Sequence, residues 1–301
     1  MQASTPGPAD VSTPTHDSPY DDACATAVRA ARRGAEVIRA EAGTFDDLRS
    51  AASAVQERKG VNDFVTATDR AAQAAIVEVL EAETPGVEIL AEEDFALLGN
   101  DDGLSDLSWE GERWIVDPID GTTNFMHRLP PYAVSIALQD ADGLRVGVVL
   151  DVSHDVLYTA VASHGLQRNG RPDGVTQTET FEDAFLATGF PYRHFEHTEV
   201  YLDVLAYFIR HTQGLRRHGS ASIDLARLAC GRFDGFYETG LMPWDVAAGI
   251  LLIREGGGRA TTYDGRGGLA PVYDRQVCGS NGTALHDALQ DGLKPMIDVR
   301  L

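Results

Sequence analysis

The sequence predicts an α/β fold built of stacked layers. Apolar residues recur at helical spacing in some stretches and in short runs or strict alternation in others. The two kinds of segment alternate along the chain, so sheets have helices to cover them. The composition is that of a chain that folds, with 43% of its 301 residues hydrophobic and 24% charged. A length above the roughly 100–200 residues of one ordinary domain calls for two domains or one large layered body with ample core. That body is expected to span residues 20–301, in two halves of about 20–180 and 181–301.

Residues 1–19 are rich in Ser, Thr, Pro and Asp and poor in bulky apolar side chains. Nothing there offsets the entropy of ordering, and a disordered tail is expected. From Asp21 an Ala-rich amphipathic helix runs through Ala40, and the pattern can continue after Gly43 to Arg58, before Lys59-Gly60. A second helix capped within Thr66–Asp69 carries Ala71, Ala74, Ala75, Val77 and Leu80 at helical spacing and ends at Pro85-Gly86. Val87–Leu90 and Trp114–Val116 are short buried strands on either side of the acidic loop Asn100–Asp106. Ala133–Leu138 and Leu144–Asp151 alternate as a hairpin around Ala141-Asp142-Gly143, followed by a strand over Val156–Ala162 and a turn at Asn169-Gly170. The first half thus reads as two helices and a mostly antiparallel sheet. In the second half, Ala184–Thr188 and Phe233–Glu238 read as strands. Val200–His211, Ser220–Cys230 and Pro243–Glu255 read as helices, the last closed by Gly256-Gly257-Gly258.

Charge removes several classes of function. The chain carries 25 Lys+Arg against 46 Asp+Glu, a net charge of −21, and only two of its cations are lysines, Lys59 and Lys294. A Gly-x-x-x-x-Gly-Lys phosphate loop is absent, and the negative field with no basic stripe opposes direct nucleic-acid binding. The acidity suits either a salt-tolerant surface or an Arg-for-Lys bias. Cys24, Cys230 and Cys278 are scattered, odd in number and suited to neither a disulfide framework nor a zinc site. His194 and His197 lack ligand company for zinc, and the aromatic residues between Phe190 and Phe208 read as packing because no basic groove accompanies them. No stretch approaches the roughly 20 apolar residues of a membrane span, and the first residues lack a signal-peptide pattern, so a soluble cytoplasmic protein without a membrane partner is expected.

The densest chemical signal is Trp114-Ile115-Val116-Asp117-Pro118-Ile119-Asp120-Gly121-Thr122-Thr123-Asn124. Two aspartates flank a proline at the end of an apolar strand, and Pro118, with a fixed φ and no amide hydrogen, stiffens the bend that aims them. Gly121 permits close backbone approach, and the amides of Gly121–Thr123 can converge on one anion. Carboxylates for a hard cation beside donors for phosphate are what metal-assisted phosphoryl hydrolysis requires. Asp69, Glu92-Glu93-Asp94 and Asp245 supply further acids. Taken singly, Asp69 and Asp245 read equally well as residues favoured at a helix N-terminus, and Glu92–Asp94 as a solvated acidic loop.

As a set, Asp63–Asp69, Glu92-Glu93, Asp117–Asn124 and Trp244–Gly249 resemble the signatures of the inositol monophosphatase family, the lithium-sensitive, magnesium-dependent sugar-phosphate phosphatases. The stretches Arg216–Ser222, Gly231–Glu238 and Gly240–Trp244 look closest to its bacterial branch. The resemblance runs from about Asp21 to the C-terminus. It implies a five-layered αβαβα sandwich of the sugar phosphatase type, a homodimer, and two to three Mg2+ ions per site. Glu92, Asp117 and the carbonyl of Ile119 would hold the first ion, and Asp117, Asp120 and Asp245 the second, with a looser third reached from Glu92 through water. Thr122, oriented by Asp69, would act with Glu92 as the catalytic set that positions and deprotonates the attacking water. Ile119, Asp120, Gly121, Thr122, Thr123 and Asp245 would meet the phosphate, and Arg216, Gly219, Ser220, Ala221 and Glu238 the rest of the substrate.

Two departures from the family pattern stand out: Asp94 after Glu92-Glu93, and Met242 where the bacterial branch often has arginine; Lys59, before Gly60, falls in the loop that the family uses near the metal site and reads equally well as a solvated lysine at a helix end. The expected activity is hydrolysis of a small polyol phosphate, foremost inositol 1-phosphate. The same chemistry on fructose 1,6-bisphosphate, histidinol phosphate or NADP is the nearest alternative, and a partner role in a transcription complex is the non-enzymatic one.

Overall fold

The computed structural model describes residues 18–44, 56–58, 64–98, 111–191 and 195–299. The expected tail up to residue 17, the acidic loop 100–106, Lys59, Asp63 and His194 lie outside the described residues. Helix α1 (Asp21–Thr44) opens with two acids in its first turn, where the helix dipole favours them. It buries a stripe of Ala27, Ala30, Ala31, Ala35 and Ile38. Such small side chains let α2 (Ala67–Glu83) approach closely; a Cβ on Gly34 would stand 2.8 Å from Ile76 Cδ1.

Between these helices, β1 (Gln56–Arg58) pairs antiparallel with β2 (Phe64–Thr66). The expected continuation of the first helix to Arg58 is therefore corrected. Helical periodicity is a weak preference that a strand ladder overrides when a partner segment is available.

The chain then lays down β3 (Glu88–Ala91), α3 (Glu92–Leu98), β4 (Arg113–Asp120), α4 (Thr122–Met126), β5 (Ala133–Asp140), β6 (Gly143–Asp151), β7 (Val156–Val161), β8 (Leu166–Arg168) and β9 (Arg171–Pro172). Strands β3 to β9 form a seven-stranded sheet in sequence order, with only the β3–β4 pair parallel. Asn169 and Gly170, at φ 50° and 72°, supply the two left-handed positions of the tight β8–β9 turn. Glu92–Asp94, which also read as a solvated loop, instead open α3.

The second half adds β10 (Phe185–Thr188), α5 (Thr198–His211), β11 (Gly214–Arg216), α6 (Ala221–Ala229), β12 (Gly235–Thr239), α7 (Pro243–Glu255), β13 (Arg259–Thr261), α8 (Ala270–Tyr273), β14 (Gln276–Ser280) and α9 (Leu285–Leu293). Its five-stranded sheet runs β11-β10-β12-β14-β13.

The strand pleat distributes side chains into three apolar clusters. Trp114, Val116, Val134, Ile136 and Leu138 face α1 and α2. Ile115, Ala137 and Val149 face the middle layer of α6 and α7, which also receives Ala187, Phe236 and Val277 from the second sheet. Leu186, Tyr237 and Cys278 face α5 and α9. The order is α1/α2, seven-stranded sheet, α6/α7, five-stranded sheet, α5/α9, which is the five-layered αβαβα sandwich. The sheets divide between residues 172 and 185, yet both halves share the middle core. That middle layer is tight. A Cβ on Gly249 would lie 2.5 Å from Leu225 Cβ, and one on Gly147 would lie 2.8 Å from the Ala248 carbonyl oxygen, so the small run Ala247-Ala248-Gly249 serves helix–helix and helix–sheet contact. Among the described residues no helix is long and apolar enough to cross a membrane.

Candidate active site

The site begins with a defect in a strand. The β4–β5 ladder pairs Asp117 with Ser135 and Asp120 with Ala133, so β4 spends one residue more than β5 over this interval. Pro118 sits in the bulge, where its missing amide hydrogen costs no ladder bond. In a regular strand Asp117 and Asp120 would point to opposite faces; the extra residue brings them to one. The Ile119 amide donates to Asp117 Oδ1 at 2.9 Å and fixes that side chain. Gly121 follows at φ 92°, with the Pro131 and Gly219 carbonyl oxygens 3.1 and 3.2 Å from where a Cβ would stand, so position 121 needs both the left-handed backbone and the missing side chain.

The third aspartate comes from the other end of the sequence. Pro243 opens α7, and the Met242 amide donates to Asp245 Oδ2 at 2.7 Å, capping the helix and turning the carboxylate toward β4. One oxygen each from Asp117, Asp120 and Asp245 lies within 4.8 Å of the others. Asp120 Oδ2 accepts from Ser220 Oγ at 2.7 Å, Ser222 N at 2.7 Å and Ser222 Oγ at 2.5 Å, which ties the site to the start of α6. Thr122 Oγ1 lies 3.1 Å from Asp69 Oδ1, on the first turn of α2, and 3.0 Å from the Ile119 carbonyl oxygen, acceptors between which its proton is shared.

One cavity of about 290 Å³ gathers Glu92, Asp117, Ile119, Asp120, Gly121, Thr122, Thr123, Gly219, Ser220, Ala221, Glu238 and Asp245. These are the residues singled out from the sequence, except that Asp69 stands behind Thr122 and Arg216 lies elsewhere. Arg216 is exposed, its guanidinium 4.7 Å from the Phe185 ring centroid. Its neighbour Arg217 lines the cavity instead, with Cζ 5.6 Å from the Phe190 ring centroid. Sequence reasoning also missed Thr188, Gly189, Asp224 and Leu241 in the wall. The glycine directly after the β10 strand was the available signal for Gly189: a Cβ there would fall 1.7 Å from Glu238 Oε1, so the carboxylate occupies the space a side chain would take.

The electrostatics are those of acids crowded out of water. Burial pushes the Asp117 carboxyl well above its ordinary range, and the charges of Glu92, Asp120, Asp245 and Asp69 push the same way. Burial also raises Asp120, against the lowering by its Ser222 and Ser220 hydrogen bonds. Glu238 is raised well above its usual value by burial, then by Asp224, with Arg217 opposing. Asp224 is raised by burial and partly offset by His218, whose Nδ1 lies 2.6 Å from Asp224 Oδ1. Converging carboxylates of this kind are costly unless a cation compensates them, and a hard-oxygen donor set suits Mg2+, Mn2+ or Ca2+. The residues therefore fit a divalent cation.

Fold and site together define a five-layered α/β protein whose cavity sets three converging carboxylates, a donor set for a divalent cation, beside the turn at Gly121–Thr123. Residues 20–294 match the inositol monophosphatase family, and the chain belongs to that family. The chain is 39% identical over 239 residues to the Nus factor SuhB of Escherichia coli, covering 79% of this chain and 84% of that protein. It is 39% identical over 229 residues to the inositol-1-monophosphatase of Synechocystis, covering 76% of this chain and 77% of the relative. Among solved structures, the extragenic suppressor protein suhB of Bartonella henselae superimposes with a TM-score of 0.77 at 33% identity, covering 90% of this chain and 97% of that one.

Proposed function

We propose that this protein hydrolyses a small polyol phosphate monoester, foremost inositol 1-phosphate, with Mg2+ as cofactor. The observation that carries the reading is the Asp117–Asp120–Asp245 cluster in one cavity with Glu92 and the Thr122–Asp69 pair. Asp117, Asp120, Asp245, Glu92 and the Ile119 carbonyl are the groups that would hold two to three ions. When bound, such ions neutralise phosphoryl charge and make water a better nucleophile near neutral pH. The rest falls to the chain. Thr122, held by Asp69, offers a lone pair that orients the attacking water in line with the scissile bond, and Glu92 accepts its proton. Gly121, Thr122 and Thr123 seat the phosphate, and Gly219, Ser220 and Ala221 close over the polyol.

Glu238 supports a monophosphate over a bisphosphate. A carboxylate or carboxyl group at the cavity wall hydrogen-bonds hydroxyls, and in its ionised form it repels a second phosphate. Glu238→Gln is expected to lower kcat/KM for inositol 1-phosphate several-fold more than for glycerol 2-phosphate, which is too short to reach it. Equal losses for the two esters would assign Glu238 to the metal site or the fold. Gly189→Ala should reproduce that selectivity loss while the protein stays folded, because the new methyl displaces the mobile end of Glu238 rather than backbone. A variant with unaltered selectivity for the two esters would contradict this.

The test of the substrate reading is phosphate release from inositol 1-phosphate, fructose 1,6-bisphosphate, histidinol phosphate and NADP with Mg2+, with and without lithium. Inositol 1-phosphate is expected to turn over fastest and millimolar lithium to inhibit; undiminished activity across a lithium titration would count against the assignment. A homodimer in the cytoplasm is the expected state. A second reading, a partner role in a transcription complex, is favoured by the name Nus factor borne by relatives. Retention of an RNA polymerase component by a metal-dead variant would support it.

A further inference from the structure

Two charged side chains of the cavity wall are seated in the same way. A Cβ on Gly189 would fall 1.7 Å from Glu238 Oε1, and one on Gly219 would fall 2.6 Å from Arg217 Nη1, so each glycine leaves the space that one charged group takes. The two seats are joined. Phe190, next to Gly189, stands with its ring centroid 5.6 Å from Arg217 Cζ, within the range of a cation–π contact. Tyr201 Oη donates to the Gly189 carbonyl oxygen at 2.6 Å, and its ring meets that of Phe190 edge-on at 6.3 Å, which anchors the segment to α5. The chain beyond Arg217 is anchored as well. The His218 carbonyl oxygen accepts from Asn124 Nδ2 at 2.7 Å, and the His218 ring meets Asp224 through Nδ1.

The groups so carefully placed have no protein partner to bond. Arg217 and Glu238 both line the cavity, and neither takes part in a side-chain hydrogen bond or an ion pair among the described residues, not even with the other. Arg217 is also the one cation among the described residues that line this cavity, in a chain of net charge −21 where acids to pair with are plentiful. A guanidinium only donates, a carboxylate only accepts, and a hydroxyl does both. Hydroxyls of a leaving polyol can therefore satisfy the two side chains together. A second phosphate there would suit the guanidinium and be repelled by the carboxylate, and an ammonium group would suit the carboxylate and be repelled by the guanidinium.

We infer that Arg217 is a specificity-determining residue of this site, donating to a hydroxyl of the leaving polyol in concert with Glu238. This rests on the phosphatase reading above and adds a second hydroxyl contact to it. The test compares kcat/KM for inositol 1-phosphate with that for cyclohexyl phosphate, a ring of the same size without hydroxyls. Arg217→Met is expected to lower the ratio of the two about tenfold or more, the scale of one hydrogen bond to a charged group, with Tm retained. Arg217→Lys, which keeps a charged donor, should recover part of the ratio. Combined with Glu238→Gln, Arg217→Met should cost less than the product of the two single losses, because both side chains act on the same hydroxyls. A ratio unchanged by Arg217→Met would overturn the inference and leave the phosphatase reading standing. A larger loss on fructose 1,6-bisphosphate than on inositol 1-phosphate would also overturn it, making Arg217 the seat of a second phosphate. A wild-type protein that releases phosphate from neither ring ester would overturn both the substrate reading and this one.

Discussion

Asp120→Asn is expected to fold normally and to lose at least about 10²-fold in kcat, the scale that removing one electrostatic contact to a transition state costs. The substitution changes one atom but removes the charge with which Asp120 would help hold a cation where leaving-group charge develops. Folding survives for two reasons. All three bonds reach the one oxygen Oδ2, so an amide oxygen at that position still accepts from Ser222 N and from the Ser220 and Ser222 hydroxyls. Removing a buried charge also relieves the desolvation that raises the Asp120 carboxyl. Circular dichroism and Tm should therefore match wild type while phosphate release collapses. Near wild-type turnover at saturating Mg2+ would remove Asp120 from the metal set.

The second large effect is on stability. In chelator, Asp117, Asp120, Asp224 and Glu238 all have folded-state pKa values raised above their unfolded ones. Each thus contributes stability that is complete below its unfolded pKa, near 4, and is lost as pH rises through the folded value. The surface carboxylates paired with arginine act oppositely: Glu83, lowered to about 2 chiefly by its hydrogen bond with Arg29, gives up its contribution only as pH falls toward that value. Tm in chelator is therefore expected to fall from mildly acidic to alkaline pH. Added Mg2+ should restore it, more at pH 8 than at pH 5.5, by about 2.7 kcal/mol at a concentration of 100 Kd, or several degrees. Asp117→Asn should flatten the chelator profile and abolish the Mg2+ shift. A Tm insensitive to Mg2+ at pH 8 would mean that these carboxylates are not a cation site.

How much of this was legible in the sequence follows from where the signals are local. The strand Trp114–Val116, the hairpin of β5 and β6, the Asn169-Gly170 turn and helix α7 each announce themselves through periodicity and turn chemistry within about ten residues. The acids of the site were legible as motifs, and the resemblance placed Asp69, Glu92, Asp117, Asp120 and Asp245 together although up to 176 positions separate them. Strands β11, β13 and β14 and helices α8 and α9 were missed, since elements of three to nine residues carry too few periods to stand out. The helix assigned up to Arg58 failed because its last residues found a ladder partner in Phe64–Thr66. Arg216 and Arg217 are adjacent, and only tertiary packing decides which guanidinium lies on Phe185 and which lines the cavity. Gly189 acquires its meaning from a side chain 49 residues away, Glu238, and no local pattern records that.

The most direct measurement is phosphate release from inositol 1-phosphate by chelator-treated protein during a Mg2+ titration, run beside Asp120→Asn. The account predicts no release without Mg2+, saturable activation as it is added, and no comparable activation of the variant. Hydrolysis that persists in chelator, or a wild-type protein that releases no phosphate at any Mg2+ concentration, would contradict it.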